Sequence, residues 1–302
     1  MAKRTVNVFQ IDVFTTRLFA GNPAGVVLGA QHLSEAEMQA LARELNNSDS
    51  AFVLPPDGPD HDIKLRFFTP TREAGFVGHA SVAAHVARLA AGQGKVGKLR
   101  QKSRTGIYDV EVSGSAAQPR VSVALPAPEF QPAIGADTRA RLLDVFGIDT
   151  AALDPKCPVV VTKRTSTRLM IGLRSAELLA SLQPNLEELK RMTPHVGADG
   201  YFLFVRDARG PGTTESRLFS PVLGIAEDPV SGNAHGMLGA YLVVNGLLPV
   251  AAGRARFRGY QGRSMERPGE VDVEVEASGQ APTRVHISGA ARVVFTTEIA
   301  LD

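Results

Sequence analysis

Residues 217–241 have the sequence RLFSPVLGIAEDPVSGNAHGMLGAY. It reads as a strand, a polar turn rich in glycine and an apolar helix in succession. An earlier stretch, RFFTPTREAGFVGHASVAAH at residues 66–85, follows the same plan. Both open with Arg-x-Phe-Ser/Thr-Pro, and the two openings lie 151 positions apart in a chain of 302 residues. The sequence therefore predicts one structural unit used twice.

The composition is that of a globular protein with ample apolar material for one or two cores, since 44% of the residues are hydrophobic and 21% are charged. The net charge of +2 gives no reason to expect a nucleic acid or a membrane as partner. Acidic small molecules remain possible ligands of local sites. The single cysteine, Cys157, cannot form an intramolecular disulfide, and the first ten residues contain no long apolar run. We therefore expect a cytoplasmic protein without an export signal.

The first half begins with strands and one well-marked helix. The residues of Ala20–Gly25 are typical of a turn, and Ser34 and Glu37 form a capping box. Asp49 is expected in a turn just ahead of a strand, and an Ala-rich segment predicts a helix buried nearly all round. The predicted elements are strands at 6–14, 26–28, 51–54 and 64–69, helices at 35–45 and 80–91, and antiparallel strands within 99–123.

The second half repeats this order of elements after a linker predicted at 126–128 and 131–136. The expected elements are strands at 159–162, 169–173 and 201–206, helices at 186–191 and 234–244, and later strands at 271–276, 284–289 and 292–299. Too many strands lack intervening helices for a doubly wound sheet. We predict an α+β fold of two similar halves, each a mixed, mostly antiparallel sheet wrapped around a central apolar helix. The predicted halves are residues 1–128, with the last strand at about 291–302, and residues 129–290.

Polar residues cluster at the starts of both apolar helices. Gly78 and His79 open the first helix, and the turn from Asp228 to Asn233 opens the second. If the halves face each other, both helix N-termini direct N–H groups into one cleft, which suits a carboxylate-bearing substrate. His79, Asp228 and Asp49 then become candidates for acid–base catalysis in an active site between the halves.

Five blocks of residues, in this order, resemble the PhzF-like isomerases of phenazine biosynthesis, which share the diaminopimelate epimerase fold. The blocks are Asp12-Val-Phe-Thr with Gly21-Asn-Pro-Ala-Gly-Val, Asn47-Ser-Asp-Ser-Ala-Phe-Val, Phe68-Thr-Pro with Gly78-His79, Glu227-Asp-Pro-Val-Ser-Gly-Asn-Ala, and Gln261-Gly with Arg267-Pro-Gly. Any one block is weak alone, but the five together span nearly the whole chain.

The resemblance implies a proton shift on a small unsaturated cyclic carboxylic acid, without cofactor or metal, in a homodimer. It makes Asp49 the acid/base, and His79 and Asp228 polar substrate contacts or proton-relay groups. The residues expected to line the carboxylate site are Gly78, Ser231, Gly232 and Asn233. The family acid/base is usually Glu, and the Asp49 carboxylate is one methylene shorter, so it lies on the order of 1.5 Å back from its target. Since a misplacement of about 1 Å can cost a hundredfold in rate, either the pocket or substrate suits Asp49 or the ancestral reaction is lost.

Other interpretations remain open for each of these residues. Asp49 and Asp228 are also common turn-formers, and His79 also fits a satisfied buried histidine. Relatives of the same fold use two opposed cysteines, which a chain with only Cys157 excludes. The alternatives to an isomerase are an epimerase or lyase on a related carbon acid, with Asp49 and His79 as a two-base pair, and a carboxylate-binding protein without turnover.

Overall fold

The computed structural model of the chain describes residues 4–115 and 117–301. It divides into two compact units: unit 1 contains the residues up to Leu125 and those from Ile287 onward, and unit 2 contains Pro126–His286. The boundaries that the sequence predicts between the two halves fall after residue 128 and near residue 291. Residue 302 of the predicted last strand lies outside the described residues, as do residues 1–3 of the segment from which we expect no export signal.

Among its described residues, unit 1 contains seven complete strands, all but the last residue of an eighth, two α-helices and most of a long C-terminal strand. The strands are β1 (Arg4–Val13), β2 (Asn22–Leu28), β3 (Ser50–Leu54), β4 (Ile63–Phe68), β5 (Glu73–Ala74), β6 (Gly97–Ser103), β7 (Gly106–Gly114) and β8 (Pro119–Pro126), which ends one residue past the unit boundary. The helices are α1 (Glu35–Leu45) and α2 (Gly78–Ala90). Strand β2 pairs antiparallel with β1 and parallel with β3, and β4 pairs antiparallel with β3 and parallel with β6. The sheet is therefore mixed.

The prediction of a turn at Ala20–Gly25 is wrong for most of its length. Strand β2 starts at Asn22, and Asn22–Leu28 pairs residue by residue with β1, from Val13↔Asn22 to Asn7↔Leu28. Asparagine, proline and glycine favour turns in short peptides, but pairing with a buried neighbouring strand overrides that local preference. The residues that suggested a turn thus extend the sheet beside β1.

Helix α1 is confirmed at the bounds predicted from its capping box. The Ser34 hydroxyl accepts a hydrogen bond from the Glu37 N–H at 3.3 Å, and the Glu37 carboxylate accepts one from the Ser34 N–H at 2.7 Å. Leu33 and Met38 are both buried in the apolar cluster beneath the helix. The cap and this buried pair fix where the helix begins, which places its far end next to β3.

Helix α2 packs against β1, β2 and β3, and every residue from Gly78 to Ala87 is buried. Small alanine side chains let the helix lie close to the curved sheet. The helix ends as expected before Gly92, which has a positive φ of 69°. The N-terminus of α2 is therefore held rigidly by the core of unit 1.

Unit 2 contains eight strands and four α-helices within its described range, and it also holds the start of the C-terminal strand. The strands are β9 (Glu129–Ala133), β10 (Val160–Lys163), β11 (Thr167–Gly172), β12 (Gly200–Arg206), β13 (Thr213–Ser220), β14 (Ile225–Asp228), β15 (Arg254–Gln261) and β16 (Gly269–Ser278). The helices are α3 (Ala136–Val145), α4 (Ala176–Ser181), α5 (Leu186–Val196) and α6 (Gly232–Val244), and the C-terminal strand is β17 (Ala281–Leu301).

Three of the sequence-based assignments in and next to unit 2 need correction. The predicted linker at 131–136 is part of strand β9, which pairs antiparallel with β10, and of the start of α3. The two strands predicted at 284–289 and 292–299 are one continuous strand, β17. Charged and polar residues at the sheet surface hide these strands from a search for apolar runs, because only alternate side chains face the core.

The sheet of unit 2 is also mixed. Strand β12 pairs parallel with β11 and antiparallel with β13, and β13 pairs parallel with β15. Helix α6 packs on β15 and β16, where a Cβ at Gly239 would lie only 2.8 Å from the Val273 side chain. The glycine thus permits close helix–sheet packing, and 11 of the 13 residues of α6 are buried. Helices α3, α4 and α5 contribute to a second apolar cluster.

The fold is a sheet-rich α+β arrangement with mixed strand directions, so the predicted fold class is confirmed. None of the helices in the described ranges has the length and apolar character needed to cross a membrane.

Candidate active site

Asp49 lies in the short loop between α1 and β3 of unit 1. Helix α1 ends at Leu45, and the next residue, Asn46, has a φ of 50° that turns the chain out of the helix. The side chain of Asn47 then exchanges two hydrogen bonds, of 3.0 and 2.9 Å, with that of Gln10 on β1. Since β3 begins at Ser50, this loop places Asp49 at the start of the strand with only 9% of its surface exposed.

His79 is the second residue of α2 and lies beside Asp49. Its Nε2 atom is 3.8 Å from Asp49 Oδ2, which is longer than a hydrogen bond, and Nε2 is buried without a hydrogen-bond partner in the described part of the chain. Burial lowers the pKa of His79 to about 4, so the ring is neutral at pH 7. A buried polar nitrogen without a hydrogen-bond partner costs free energy, so this position of His79 needs an explanation beyond packing.

The N-terminus of α2 adds a second feature at this position. Gly78 is the first helical residue, and no side chain among those described caps the helix at Val77. The N–H groups of a first turn carry the positive end of the helix dipole. Asp49, Gly78 and His79 are thus brought together within unit 1.

Asp228 ends β14 in unit 2 and is followed by the turn that leads into α6. One buried side chain holds both ends of this turn: the Gln261 amide donates to the Asp228 carbonyl at 2.6 Å and accepts from the Ser231 N–H at 3.1 Å. Gln261 is 1% exposed. The turn is therefore fixed relative to β15, the strand that carries Gln261.

The first turn of α6 gathers the other residues expected in the site. Ser231 caps the helix through a 3.3 Å hydrogen bond from the Ala234 N–H, and Gly232 is the first helical residue. Asn233 donates from Nδ2 to the Ser166 hydroxyl at 2.9 Å. Asp228, Ser231, Gly232 and Asn233 are thus brought together within unit 2.

Two polar residues of unit 2 were not assigned roles from the sequence. Gln261 belongs to the block Gln261-Gly with Arg267-Pro-Gly, so the sequence motif could have predicted that this residue lies in the site. Arg168, near the start of β11, belongs to no motif, yet it is buried and feels the charge of Asp228. The burial of Arg168 and its position relative to Asp228 are visible only in the structure.

Replacing Gln261 tests how far its side chain orders the turn. Gln261→Leu leaves the Asp228 carbonyl and the Ser231 N–H without their partner, so we expect the free energy of unfolding to fall by about 1–3 kcal/mol. Urea unfolding measures this loss. Gln280→Leu, at an exposed position of the same unit, is the matched control and should change stability by less than about 0.5 kcal/mol. Equal stability of the two variants would contradict the role given to Gln261.

Three buried histidines make the stability of the protein depend on pH. Burial lowers the pKa values of His79, His85 and His235 to about 4, whereas an unfolded histidine titrates near 6.5. As the pH falls from 6.5 to 4, the unfolded chain binds more protons than the folded chain, so the free energy of unfolding decreases. The loss is about 1.4 kcal/mol per pH unit for each proton taken up.

Urea unfolding between pH 7.5 and 4.5 checks this dependence. We expect a plateau above about pH 7 and a falling free energy of unfolding below pH 6.5. His85→Gln should reduce proton uptake by about one, because its buried ring titrates only on unfolding. A flat profile from pH 7.5 to 4.5 would refute the neutral state of the buried rings.

The single cysteine lies outside these groups of residues. Cys157 precedes β10, is 4% exposed and approaches Asp154 Oδ2 at 3.5 Å. Burial raises the pKa of its thiol to about 11, so the thiol is protonated at pH 7. Its environment is that of a buried structural cysteine.

The phenazine biosynthesis-like protein family, PhzC-PhzF, has a family model that matches residues 11–297 of the chain. The chain belongs to this family. It is 38% identical over 296 residues to the uncharacterized isomerase YddE of Escherichia coli K12, with 98% of each chain covered. It is 30% identical over 289 residues to the trans-2,3-dihydro-3-hydroxyanthranilate isomerase of Pseudomonas fluorescens, with 94% of this chain and 95% of that protein covered.

The fold of this chain agrees with that of a solved structure from the same family. The Bacillus anthracis phenazine biosynthesis protein of the PhzF family superposes with a TM-score of 0.87 at 26% identity, covering 99% of this chain and all of that one. With named isomerases among its relatives over nearly full length, the protein is an isomerase of the PhzF family.

Proposed function

We propose that this PhzF-family isomerase moves a proton between two carbons of a small unsaturated cyclic carboxylic acid without a cofactor. The carboxyl group of Asp49 takes the proton from one carbon, the electron pair shifts along the double bond, and the same group returns the proton to another carbon. The relative from Pseudomonas fluorescens is named for such an unsaturated ring acid, which supports this substrate class.

The observation that carries the proposal is the pairing of Asp49 with a buried neutral imidazole. His79 Nε2 lies 3.8 Å from Asp49 Oδ2 and has no hydrogen-bond partner among the described residues. A neutral ring beside the carboxyl group is able to donate to, or accept from, a polar substrate atom while Asp49 handles the carbon-bound proton. Both side chains are largely buried, and limited contact with water favours return of the proton to the substrate over its loss to solvent.

The short distance favours a proton shift over the two-base epimerase alternative. Two bases on opposite faces of one carbon, each about 3–3.5 Å from it, are about 6–7 Å apart. At 3.8 Å, Asp49 and His79 lie on the same side of any carbon that they both approach. This arrangement suits removal and return of a proton on one face.

The remaining residues predicted for the site are proposed to bind the substrate. In unit 1, Gly78 begins α2, and in unit 2, Ser231, Gly232 and Asn233 form the start of α6; each of these helix N-termini favours an anionic group. Asp228 is proposed as a polar substrate contact or proton relay, held in place by Gln261.

Deuterium uptake tests the proposal directly. The protein is incubated in deuterated water with trans-2,3-dihydro-3-hydroxyanthranilate and related dihydroaromatic carboxylates, and NMR follows both the shift of the double bond and deuterium at the carbon that gains the proton. Isomerisation of a ring acid, with or without deuterium from solvent, supports the proposal. Binding of these acids without isomerisation or exchange would instead favour the carboxylate-binding alternative.

A further inference from the structure

Arg168 is a buried arginine near the start of β11. Only 8% of its surface is exposed, and its Nη1 donates to the carbonyl of the preceding residue, Thr167, at 2.7 Å. Its Nε has no acceptor, and its guanidinium forms no ion pair with any carboxylate in the described ranges. Removing a guanidinium from water costs several kcal/mol unless a carboxylate and further hydrogen bonds compensate. The compensation within the chain is thus incomplete.

Two acidic residues act on Arg168 only from a distance. Asp228 and Asp199 attract the guanidinium, but neither makes an ion pair with it. Asp199 instead accepts a hydrogen bond from the Thr167 N–H at 3.3 Å. The Nε–H of Arg168 is therefore left without an acceptor among the described residues.

The surroundings of Arg168 are shaped to hold a long cationic side chain. In the parallel pair β11–β12, Arg168 lies opposite Gly200, and a Cβ at Gly200 would come within 3.0 Å of Arg168 Cδ. The Ser220 hydroxyl also lies next to Gly200, 2.4 Å from where a Cβ would be. This hydroxyl has no hydrogen-bond partner in the described part of the chain. A second polar group without a partner thus accompanies the guanidinium.

The loop before Arg168 reaches the start of α6. The Ser166 hydroxyl, two residues before Arg168, accepts from Asn233 Nδ2, and Asn233 Oδ1 has no partner among described residues. A helix N-terminus and a guanidinium both favour a negative charge nearby. These groups occupy one region of unit 2.

Strand registers give this region a counterpart in unit 1. Asp49 precedes Ser50, which pairs with Phe68, and Gly200 precedes Tyr201, which pairs with Phe219. Where unit 1 has a carboxyl side chain, unit 2 has a glycine whose space is taken by the side chains of Arg168 and Ser220.

We propose that Arg168 binds the carboxylate of the substrate, together with the first turn of α6, and so sets the preference of the enzyme for acids over neutral analogues. This inference rests on the proposed function, because it names the group that recognises the substrate carboxylate. A guanidinium offers two parallel N–H donors to a carboxylate, which also orients the ring that carries it.

Binding of two non-isomerising probes tests the proposal. Calorimetry compares 3-hydroxyanthranilate with its neutral amide for the wild type, Arg168→Met, Arg168→Lys and the surface control Arg191→Met. The wild type and the control should bind the acid at least about tenfold tighter than the amide, since hydrogen bonds to charged groups are strong. Arg168→Met should reduce this preference to less than about twofold. Arg168→Lys keeps the charge without the paired donors, so its preference should be intermediate.

The outcomes separate this proposal from the proposed function. Equal acid preference in the wild type and Arg168→Lys or Arg168→Met overturns the role of Arg168, and isomerisation by the wild type then leaves the proposed function intact. A wild type that does not prefer the acid overturns the role of Arg168 as well. Thermal unfolding shows whether Arg168→Met folds; if it does not, Arg168→Lys decides, because an unchanged tenfold preference and affinity contradict the proposal.

Discussion

Asp49→Asn is expected to lower the rate of substrate isomerisation by about 10²–10⁴-fold, because an amide cannot take a proton from carbon at neutral pH. The substitution changes little else, since Asn has the same shape as Asp. Substrate binding should therefore remain within about threefold of wild type, and the loss should appear in kcat rather than in KM. NMR of the isomerisation, with single-turnover rates, measures both quantities.

Two companion variants sharpen the result. Asn47→Asp, in the same loop, places a carboxyl two residues away and should not replace the lost activity when combined with Asp49→Asn. Asp49→Glu keeps the acid and lengthens it by about the 1.5 Å that separates this chain from the common family residue. If Asp49→Asn isomerises as fast as the wild type, Asp49 is only a turn residue, and the assignments of His79 and Asp228 are judged on their own variants.

Local signals in the sequence predicted α1, α2 and α6 closely, but they did not predict α3 or α4. The capping box Ser34–Glu37 and the apolar spacing behind it predicted α1 to the residue, because caps act within one turn. The apolar segments gave α2 and α6 with starts two residues late, since Gly78 and Gly232 do not look helical in isolation. Strand β2 was missed over Asn22–Gly25 because its pairing with β1 is a tertiary effect.

The candidate site was predictable only where residues share a motif. Asp49, His79 and Asp228 could be selected from quoted blocks, but the 3.8 Å approach of Asp49 and His79 follows from the packing of α2 against β3, which connects residues 30 positions apart. Arg168 gave no signal, because an isolated arginine in a strand is normally expected to point into solvent. Its burial depends on Gly200, a residue of the neighbouring strand.

The repeated Arg-x-Phe-Ser/Thr-Pro openings carry the other large expected effect, which concerns stability. Arg217 on β13 is buried, forms two hydrogen bonds of 2.8 Å with the Glu227 carboxylate and lies over the ring of Phe219. Its Nη1 also binds the carbonyls of Leu179 and Leu182 at 3.1 and 2.7 Å. One guanidinium thus ties the end of α4 to the strand that leads into the Asp228 turn.

Arg217→Met should therefore lower the free energy of unfolding by about 3–5 kcal/mol, because it leaves the largely buried Glu227 carboxylate without its cationic partner, although the Ser264 hydroxyl still donates to it. Differential scanning calorimetry measures the loss. Arg66→Met removes the equivalent pair with Glu73 in unit 1, where the side chains are more exposed, so its cost should be smaller. Arg254→Met, at an exposed ion pair with Glu274, should cost less than about 1 kcal/mol. If Arg217→Met and Arg66→Met cost the same, the burial of Arg217 does not determine its contribution, and the contact of each arginine with a Phe ring accounts for the cost.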